Sequence, residues 1–176
     1  ELTVNSVNDL PEIDLPDFPD GVSFEEDGSL TIDFSEYVSD EDGDELVLES
    51  LSTHDLSISM DGLLVTFSTA RNFNGSEVVT FTVFDGQGEF SSDSDELLVT
   101  ITPVNDAPVL EEIGDQQTDE NEILLLDIIV SDVDGDVLLI EAESDTSSVE
   151  AKMVQDQLKL TPDLNWNGTA EITVTV

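Results

Sequence analysis

The chain repeats itself, and this limits the folds open to it more than any other property. Val7-Asn8-Asp9-Leu10-Pro11 returns as Val104-Asn105-Asp106-Ala107-Pro108, an offset of 97 residues. Val38-Ser39-Asp40-Glu41-Asp42-Gly43-Asp44 returns as Val130-Ser131-Asp132-Val133-Asp134-Gly135-Asp136 at an offset of 92. Asn72-Phe73-Asn74-Gly75-Ser76 returns as Asn165-Trp166-Asn167-Gly168-Thr169 at an offset of 93. Three landmarks in the same order mean that one structural plan is used twice. Residues 1–9 read as the end of a preceding repeat and its linker, 10–105 as a complete repeat, and 106–176 as a second copy expected to stop before the counterpart of its final strand, 95–103.

Within the complete repeat, apolar residues alternate with polar ones: Leu30, Ile32, Phe34; Leu46, Leu48; Leu56, Ile58, Met60; Leu63, Val65, Phe67; Val79, Phe81, Val83; Leu97, Val99, Ile101. Period two is the mark of a strand with one buried face, and no segment shows a helical period. Asp61-Gly62, Asn74-Gly75 and Asp85-Gly86 supply turns between these runs. With a short first strand at Val22 to Phe24 the count reaches about seven. The expected fold is all-β: tandem seven-stranded Greek-key sandwiches, the second one truncated.

Charge narrows the function. Among 176 residues, 43 are Asp or Glu and three are basic (Arg71, Lys152, Lys159), for a formal net charge of −40. Nothing here could neutralise phosphates, so nucleic acid is excluded as a partner. Charge of that size opposes compaction and calls for salt, divalent cations or both. Acidity that merely keeps a surface protein soluble is the plainer alternative. The chain has no cysteine, no run of 18 apolar residues and no lipidation motif, so neither disulfides nor membrane insertion is expected.

The carboxylates cluster where strand ends and linkers of a sandwich meet. Asp40, Asp42 and Asp44 lie in one loop, Asp85 ends a strand, and Asn8-Asp9 precedes the proline that opens the repeat. The second copy places Asp132, Asp134 and Asp136 in its loop and Asn105-Asp106 in its linker. Calcium takes six to eight oxygens at about 2.3–2.6 Å, so a site needs several carboxylate and carbonyl oxygens from separate segments. Such segments are present here, with Gly43 relaxing the loop. An EF-hand fails on spacing: counted from Asp40, its required Gly and Glu positions hold Glu45 and Leu51, and counted from Asp132 the Gly position holds Val137.

These residues resemble the bacterial cadherin-like tandem repeats of large secreted adhesins and exoproteins. The most specific strings are Glu-Asp-Gly-Ser-Leu-Thr-Ile-Asp (26–33), Asp-Glu-Asp-Gly-Asp (40–44), Asn-Phe-Asn-Gly (72–75), Phe-Thr-Val-Phe-Asp-Gly (81–86) and Val-Asn-Asp-Ala-Pro-Val (104–109). The resemblance implies a cadherin/Ig-like sandwich, a non-enzymatic role in adhesion, a secreted or cell-surface location, and calcium at each junction. For the junction in this chain it nominates Glu26, Asn105, Asp106, Asp132 and Asp134. For the upstream one it nominates Asn8, Asp9, Asp40, Asp42 and Asp85. Two departures stand out: the Leu-Asp-Arg-Glu motif of animal cadherins is absent, and the second repeat ends before its strand-end Asp. Asn72 and Asn74 read as a turn rather than as substitute ligands.

The remaining residues yield weaker signals. His54 is the sole histidine, which removes zinc and Cys-His chemistry and leaves a surface-loop histidine. Catalytic carboxylate pairs are disfavoured because the acidic residues sit in clusters best relieved by calcium, and a small sandwich offers no deep cleft. Asn74-Gly75-Ser76 and Asn167-Gly168-Thr169 fit the glycosylation pattern but sit at equivalent turns, and Phe73 and Trp166 read as core rather than as sugar-stacking surfaces. Expected partners are calcium and adjacent repeats, with homophilic or polysaccharide contacts beyond them. The rival reading is a carbohydrate- or protein-binding module of a secreted multidomain protein. A third idea is that Glu1 to Val7 of a neighbouring molecule completes the second repeat by strand addition.

Overall fold

The structure is a computed structural model that describes residues 1–15, 18, 20–51, 55–88 and 91–176. His54 lies outside the described residues. The chain divides into two compact units, Glu1–Val104 and Asn105–Val176.

Unit 1 holds β1 (Glu12–Ile13), β2 (Val22–Glu25), β3 (Ser29–Asp33), β4 (Val38–Ser39), β5 (Val47–Leu51), β6 (Leu56–Asp61), β7 (Leu64–Thr69), β8 (Gly75–Phe84) and β9 (Ser92–Thr102). Seven of these are four residues or longer, and they form a four-stranded sheet, β2-β9-β8-β5, and a three-stranded sheet, β3-β7-β6. The remaining pair, β1-β4, is two residues deep and too short to show a period. Pairing is antiparallel except for β2 on β9, which is parallel. The chain changes sheet between β5 and β6 and again between β7 and β8, the Greek-key pattern of Ig-like sandwiches.

Met60 apart, which is 37% exposed near the end of β6, the alternation read from the sequence is the alternation that is buried. Val65 and Phe67 of β7, Val79, Phe81 and Val83 of β8, and Leu97, Val99 and Ile101 of β9 are all at most 2% exposed. Phe81 centres the core, with Phe34 at 4.6 Å between ring centroids and Phe67 edge-on at 6.1 Å. Phe34 itself departs from expectation. It opens a short 3-10 turn, Phe34–Glu36, instead of continuing β3, because the Asp33 side chain accepts the Ser35 N–H and caps the turn. Its ring still faces inward. Leu46 and Leu63 fall just outside β5 and β7 but pack on the same core.

Unit 2 holds β10 (Val109–Leu110), β11 (Leu124–Asp127), β12 (Val130–Ser131), β13 (Glu141–Ser144), β14 (Val149–Val154), β15 (Gln157–Pro162) and β16 (Ile172–Thr175). They pair as β10-β12, β11-β15-β14 and β13-β16, which reproduces β1-β4, β3-β7-β6 and the β5-β8 portion of unit 1. Its core is smaller: Ile128, Val149, Leu158 and Leu160.

The repeated aromatic-Asn-Gly string has a packing cause. A methyl group on Gly168 would come within 2.9 Å of the Trp166 ring, and one on Gly75 within 3.4 Å of Phe73. Each aromatic folds over its own glycine and joins the core of its unit. Among the described residues, no helix is long and apolar enough to cross a membrane.

Replacing Phe81 with Ala removes the ring that Phe34 and Phe67 pack against. It is expected to cost unit 1 about 3–5 kcal/mol in urea unfolding, whereas a loss under about 1 kcal/mol would place the core elsewhere. A second expectation concerns acid. The Ser35 N–H holds the Asp33 carboxyl below its ordinary value, helped by the Ser35 hydroxyl and slightly opposed by burial. A depressed folded-state pKa gives stability that is present above the unfolded value near 4 and lost as the pH falls through the folded one. The melting-temperature gap between wild type and Asp33→Ala should therefore be open at pH 7 and closed near pH 2.

Candidate functional site

One pole of unit 1 gathers the acidic residues nominated by the sequence. Carboxylate oxygens of Asp40, Asp44 and Asp85 lie within 4.8 Å of one another. Oxygens around one calcium ion are at most about 5 Å apart, twice the metal–oxygen distance, so the spacing suits a shared cation. Asp85 follows β8 directly and is 4% exposed. Asp40 and Asp44 come from the loop between β4 and β5, where Gly43 takes a left-handed φ of +76° that a residue with a side chain adopts only under strain.

Hydrogen bonds organise the loop from within. The Asp44 N–H donates to Asp40 Oδ1 at 3.1 Å, which closes the loop on itself. The other Asp40 oxygen is buried without a hydrogen-bond partner. A buried carboxylate oxygen is costly to leave bare, and here it stands beside two further carboxylates. A cation or the hydrogen of a bound water fits such an oxygen.

The linker before β1 is tied to the same pole. The Asp9 N–H donates to Asp42 Oδ2 at 2.7 Å, and the Ser6 hydroxyl reaches Asp42 Oδ1 at 3.2 Å. Asn8 Nδ2 donates to the Asp9 carbonyl at 2.8 Å and to Asp85 Oδ2 at 2.9 Å. Asn8, Asp9, Asp40, Asp42, Asp44 and Asp85 thus form one connected group. Their parts differ, since Asp42 holds the linker backbone while Asp40, Asp44 and Asp85 converge. Burial pushes the Asp85 carboxyl up, but hydrogen bonds from Ser91, Asn8, the Gln87 N–H and its own N–H outweigh this and hold it below the usual range. Ser6 and Ser91 went unnoticed in the sequence, where a lone serine carries no signal.

Unit 2 rebuilds the loop and linker almost bond for bond. The Asp106 N–H donates to Asp134 Oδ2 at 2.7 Å, the Asp136 N–H to Asp132 Oδ1 at 3.1 Å, and Asn105 Nδ2 to the Asp106 carbonyl at 2.9 Å. Gly135 has the same φ of +76° as Gly43. A cavity of ≈ 400 Å³ opens beside Asn105, Asp106, Asp132 and Asp136. Among the described residues, the three-carboxylate convergence occurs in unit 1 alone.

Glu26 lies at the other pole of unit 1, the length of β8 away from Asp85, roughly 30 Å at 3.4 Å per residue. It is 6% exposed. Its Oε1 accepts the Val104 N–H at 2.7 Å, and its Oε2 accepts from Asn74 Nδ2 at 3.4 Å. Glu26 therefore fastens the exit of β9 to the Asn74 turn. Asn72 sits in that turn at φ +58° with its N–H on Asp27 Oδ1 at 2.9 Å, and Asn165 repeats this on Asn121 at 2.7 Å.

The family model described as "Bacterial Ig domain" matches residues 8–102 and again 105–176. Among solved structures, human protocadherin-24 EC1-2 is similar at 14% identity and a TM-score of 0.49, over 97% of this chain and 94% of that one. A Bacteroides ovatus SGBP-B from a mixed-linkage glucan utilization locus, solved with a mixed-linkage heptasaccharide, is similar at 18% identity and 0.43, over 95% and 44%. The human desmocollin-1 ectodomain is similar at 16% and 0.42, over 97% and 34%, so this chain spans less than half of each of the latter two. No curated protein matches the sequence. All three structural likenesses fall below a TM-score of 0.5, and it is the doubled family match that decides: the chain belongs to the bacterial Ig domain family, as two such modules in tandem.

Proposed function

We propose that this chain is a calcium-binding structural segment of a secreted or cell-surface adhesin, in which the acidic poles hold calcium and stiffen the linkers between repeats. The supporting observation is the convergence of Asp40, Asp44 and Asp85 around a buried, unpartnered Asp40 oxygen. The repeats run as 1–9, 10–105 and 106–176, with Asn8-Asp9 and Asn105-Asp106 as the linker halves of two junctions.

Bound at a junction, calcium supplies positive charge that cancels the mutual repulsion of the carboxylates. The residues divide the work. Asp40, Asp44 and Asp85 offer oxygens upstream, with Asn8 and Asp9 presenting linker oxygens beside them. Asp132, Asp134 and Asp136 do the same in the second unit with Asn105 and Asp106. Asp42 and Asp134 hold the linker N–H groups, so a linker is anchored before any ion arrives. Glu26 serves the junction from the repeat before it, since a carboxylate that accepts backbone and amide N–H groups retains further lone pairs. A chain with stiff linkers behaves as a rod and carries a distal adhesive surface away from the cell. Adjacent repeats and calcium are the immediate partners, with homophilic or polysaccharide contacts as the adhesive ones. Extracellular modules bind calcium at about 0.1–1 mM, which suits that location.

Calorimetric titration tests this. Wild type is expected to bind calcium in that range, and the pairs Asp40→Ala with Asp44→Ala, and Asp132→Ala with Asp134→Ala, should each weaken their own junction at least about tenfold. Scattering should show the maximum dimension rising with calcium in wild type but not in the Asp132/Asp134 pair. Absence of binding up to about 10 mM would leave the acidity as a solubility device. The ligands must be ionised to bind, and Asp85 stays ionised below its ordinary value. Affinity should hold from pH 8 down to about pH 5 and fall only as the pH drops below about 4; a decline already near pH 6–7 would implicate some other group.

A further inference from the structure

Unit 2 places both lysines of the chain side by side. Lys152 of β14 and Lys159 of β15 are directly opposed across their ladder, and Leu125 of β11 stands opposite Lys159 on its other side. Strand alternation turns this row outward. Leu158 and Leu160, the neighbours of Lys159, belong to the core, whereas Lys152 is exposed, Lys159 half-buried and Leu125 53% exposed. Two of the three cations in a chain with 43 acidic residues thus share one spot on the outer face of the β11-β15-β14 sheet.

Nothing inside unit 2 accounts for the pair. Like charges directly opposite each other across a ladder are destabilising. Among the described residues the one ion pair is Arg71 with Asp27, so neither lysine is neutralised by a neighbour. Asp127, on the same face, accepts from Gln157 Nε2 at 2.7 Å instead. Nor does the fold ask for cations there. The sheet matches β3-β7-β6 of unit 1 strand for strand. At the offset of 93 residues that relates Asn72 to Asn165, Lys152 and Lys159 correspond to Ser59 and Thr66, which oppose each other in the same register.

The equivalent face of unit 1 carries the complement. Asp33, Leu64 and Asp61 form one row across β3, β7 and β6, two carboxylates with an exposed leucine between them. The adjoining row is Thr31, Thr66 and Ser59. These side chains are short and neutral, so another surface can come close, and their hydroxyl oxygens can accept from ammonium groups.

We propose that the lysine face of unit 2 docks on the Asp33, Leu64 and Asp61 face of unit 1 in a second copy of this chain. The ammonium groups of Lys152 and Lys159 lie between Asp33 and Asp61 and over the threonine row, and Leu125 meets Leu64. Each face is three strands wide and three rows long, roughly 14 by 20 Å at ordinary strand spacings. That buries about 600 Å² over both copies, less than the roughly 1,200 Å² of a stable complex, so the contact is weak and reversible. The net charge repels two copies at long range, but salt at about 0.15 M screens it beyond about 8 Å and leaves the choice to the faces in contact. Two different faces meet, so the contact is heterologous. It uses none of the carboxylates of the acidic poles and does not rest on calcium.

Complementation in EDTA tests this. One variant, Lys152→Ser with Lys159→Thr, takes the residues that unit 1 carries at those positions and leaves unit 1 intact. The other, Asp33→Asn with Asp61→Asn, leaves unit 2 intact, and asparagine keeps a side-chain oxygen for the Ser35 N–H. Wild type should show concentration-dependent NMR amide shifts with half-saturation near about 1 mM, the range of a weak contact. Each variant alone should show none. Mixing the labelled lysine variant with the unlabelled aspartate variant restores one wild-type contact and should shift the amides of Thr31, Asp33, Asp61 and Leu64. With the labels exchanged, Leu125, Lys152 and Lys159 should shift. A wild type without such shifts, a variant that associates alone as wild type does, or a silent mixture would each overturn the proposal. An oligogalacturonate that shifts Lys152 and Lys159 while the mixture stays silent would overturn it in favour of an anionic polysaccharide.

Discussion

Forty-three acidic side chains against three basic ones leave the backbone N–H as the donor on which this molecule relies. One ion pair, Arg71 with Asp27 at 4.0 Å, is found among the described residues, and it is exposed. Carboxylates instead take main-chain N–H groups at the points where the chain changes direction. Asp93 and Asp95 on β9 receive the N–H groups of Ile13 and Leu15 at 3.0 and 2.9 Å, and so hold β1 and the residues after it beside the sheet. Asp27, Asp33, Asp40, Asp42 and Glu26 do the same for turns and linkers. Bonds of this charge-assisted kind are stronger than neutral ones, and they turn an otherwise repulsive surface into a set of clamps.

A backbone N–H carries only a partial charge, so it steadies a carboxylate without cancelling it. The pole of unit 1 is where this arrangement reaches its limit. Asp85 has several donors, whereas Asp40 has one oxygen bonded and the other buried bare. Three carboxylates crowd there at spacings suited to a hard cation, and the same loop and linker bonds recur in unit 2 with distances matched to within 0.1 Å. The repetition of geometry, more than the abundance of acid, separates a built pole from a merely charged surface.

The sandwich was legible because its strands are long and half-buried, so that period two survives in the sequence from Leu30 to Ile101. The loop carboxylates were legible because they recur as a string. What escaped was short or depended on distant partners. The two-residue β1 and β4 are too brief for a pattern, and the 3-10 turn at Phe34 depends on a single cap by Asp33. Glu26 drew notice as a ligand by resemblance, but its clasp on Val104, 78 residues away, had no sequence signature. Nor did the contrast between the units. Val22–Glu25 and Gln116–Asp119 occupy equivalent places, and only the former is strand, because β9 pairs with it in parallel.

Cation sites at the acidic poles and a diffuse negative surface differ in how they answer to calcium. The most direct measurement is thermal unfolding as calcium replaces sodium at constant ionic strength, so that general screening is unchanged and only site binding alters stability. Cation sites at the poles predict a melting temperature that climbs with calcium and saturates, with a smaller response to magnesium, whose short and strictly octahedral coordination suits this spacing less well. An identical melting temperature in sodium, magnesium and calcium would contradict them.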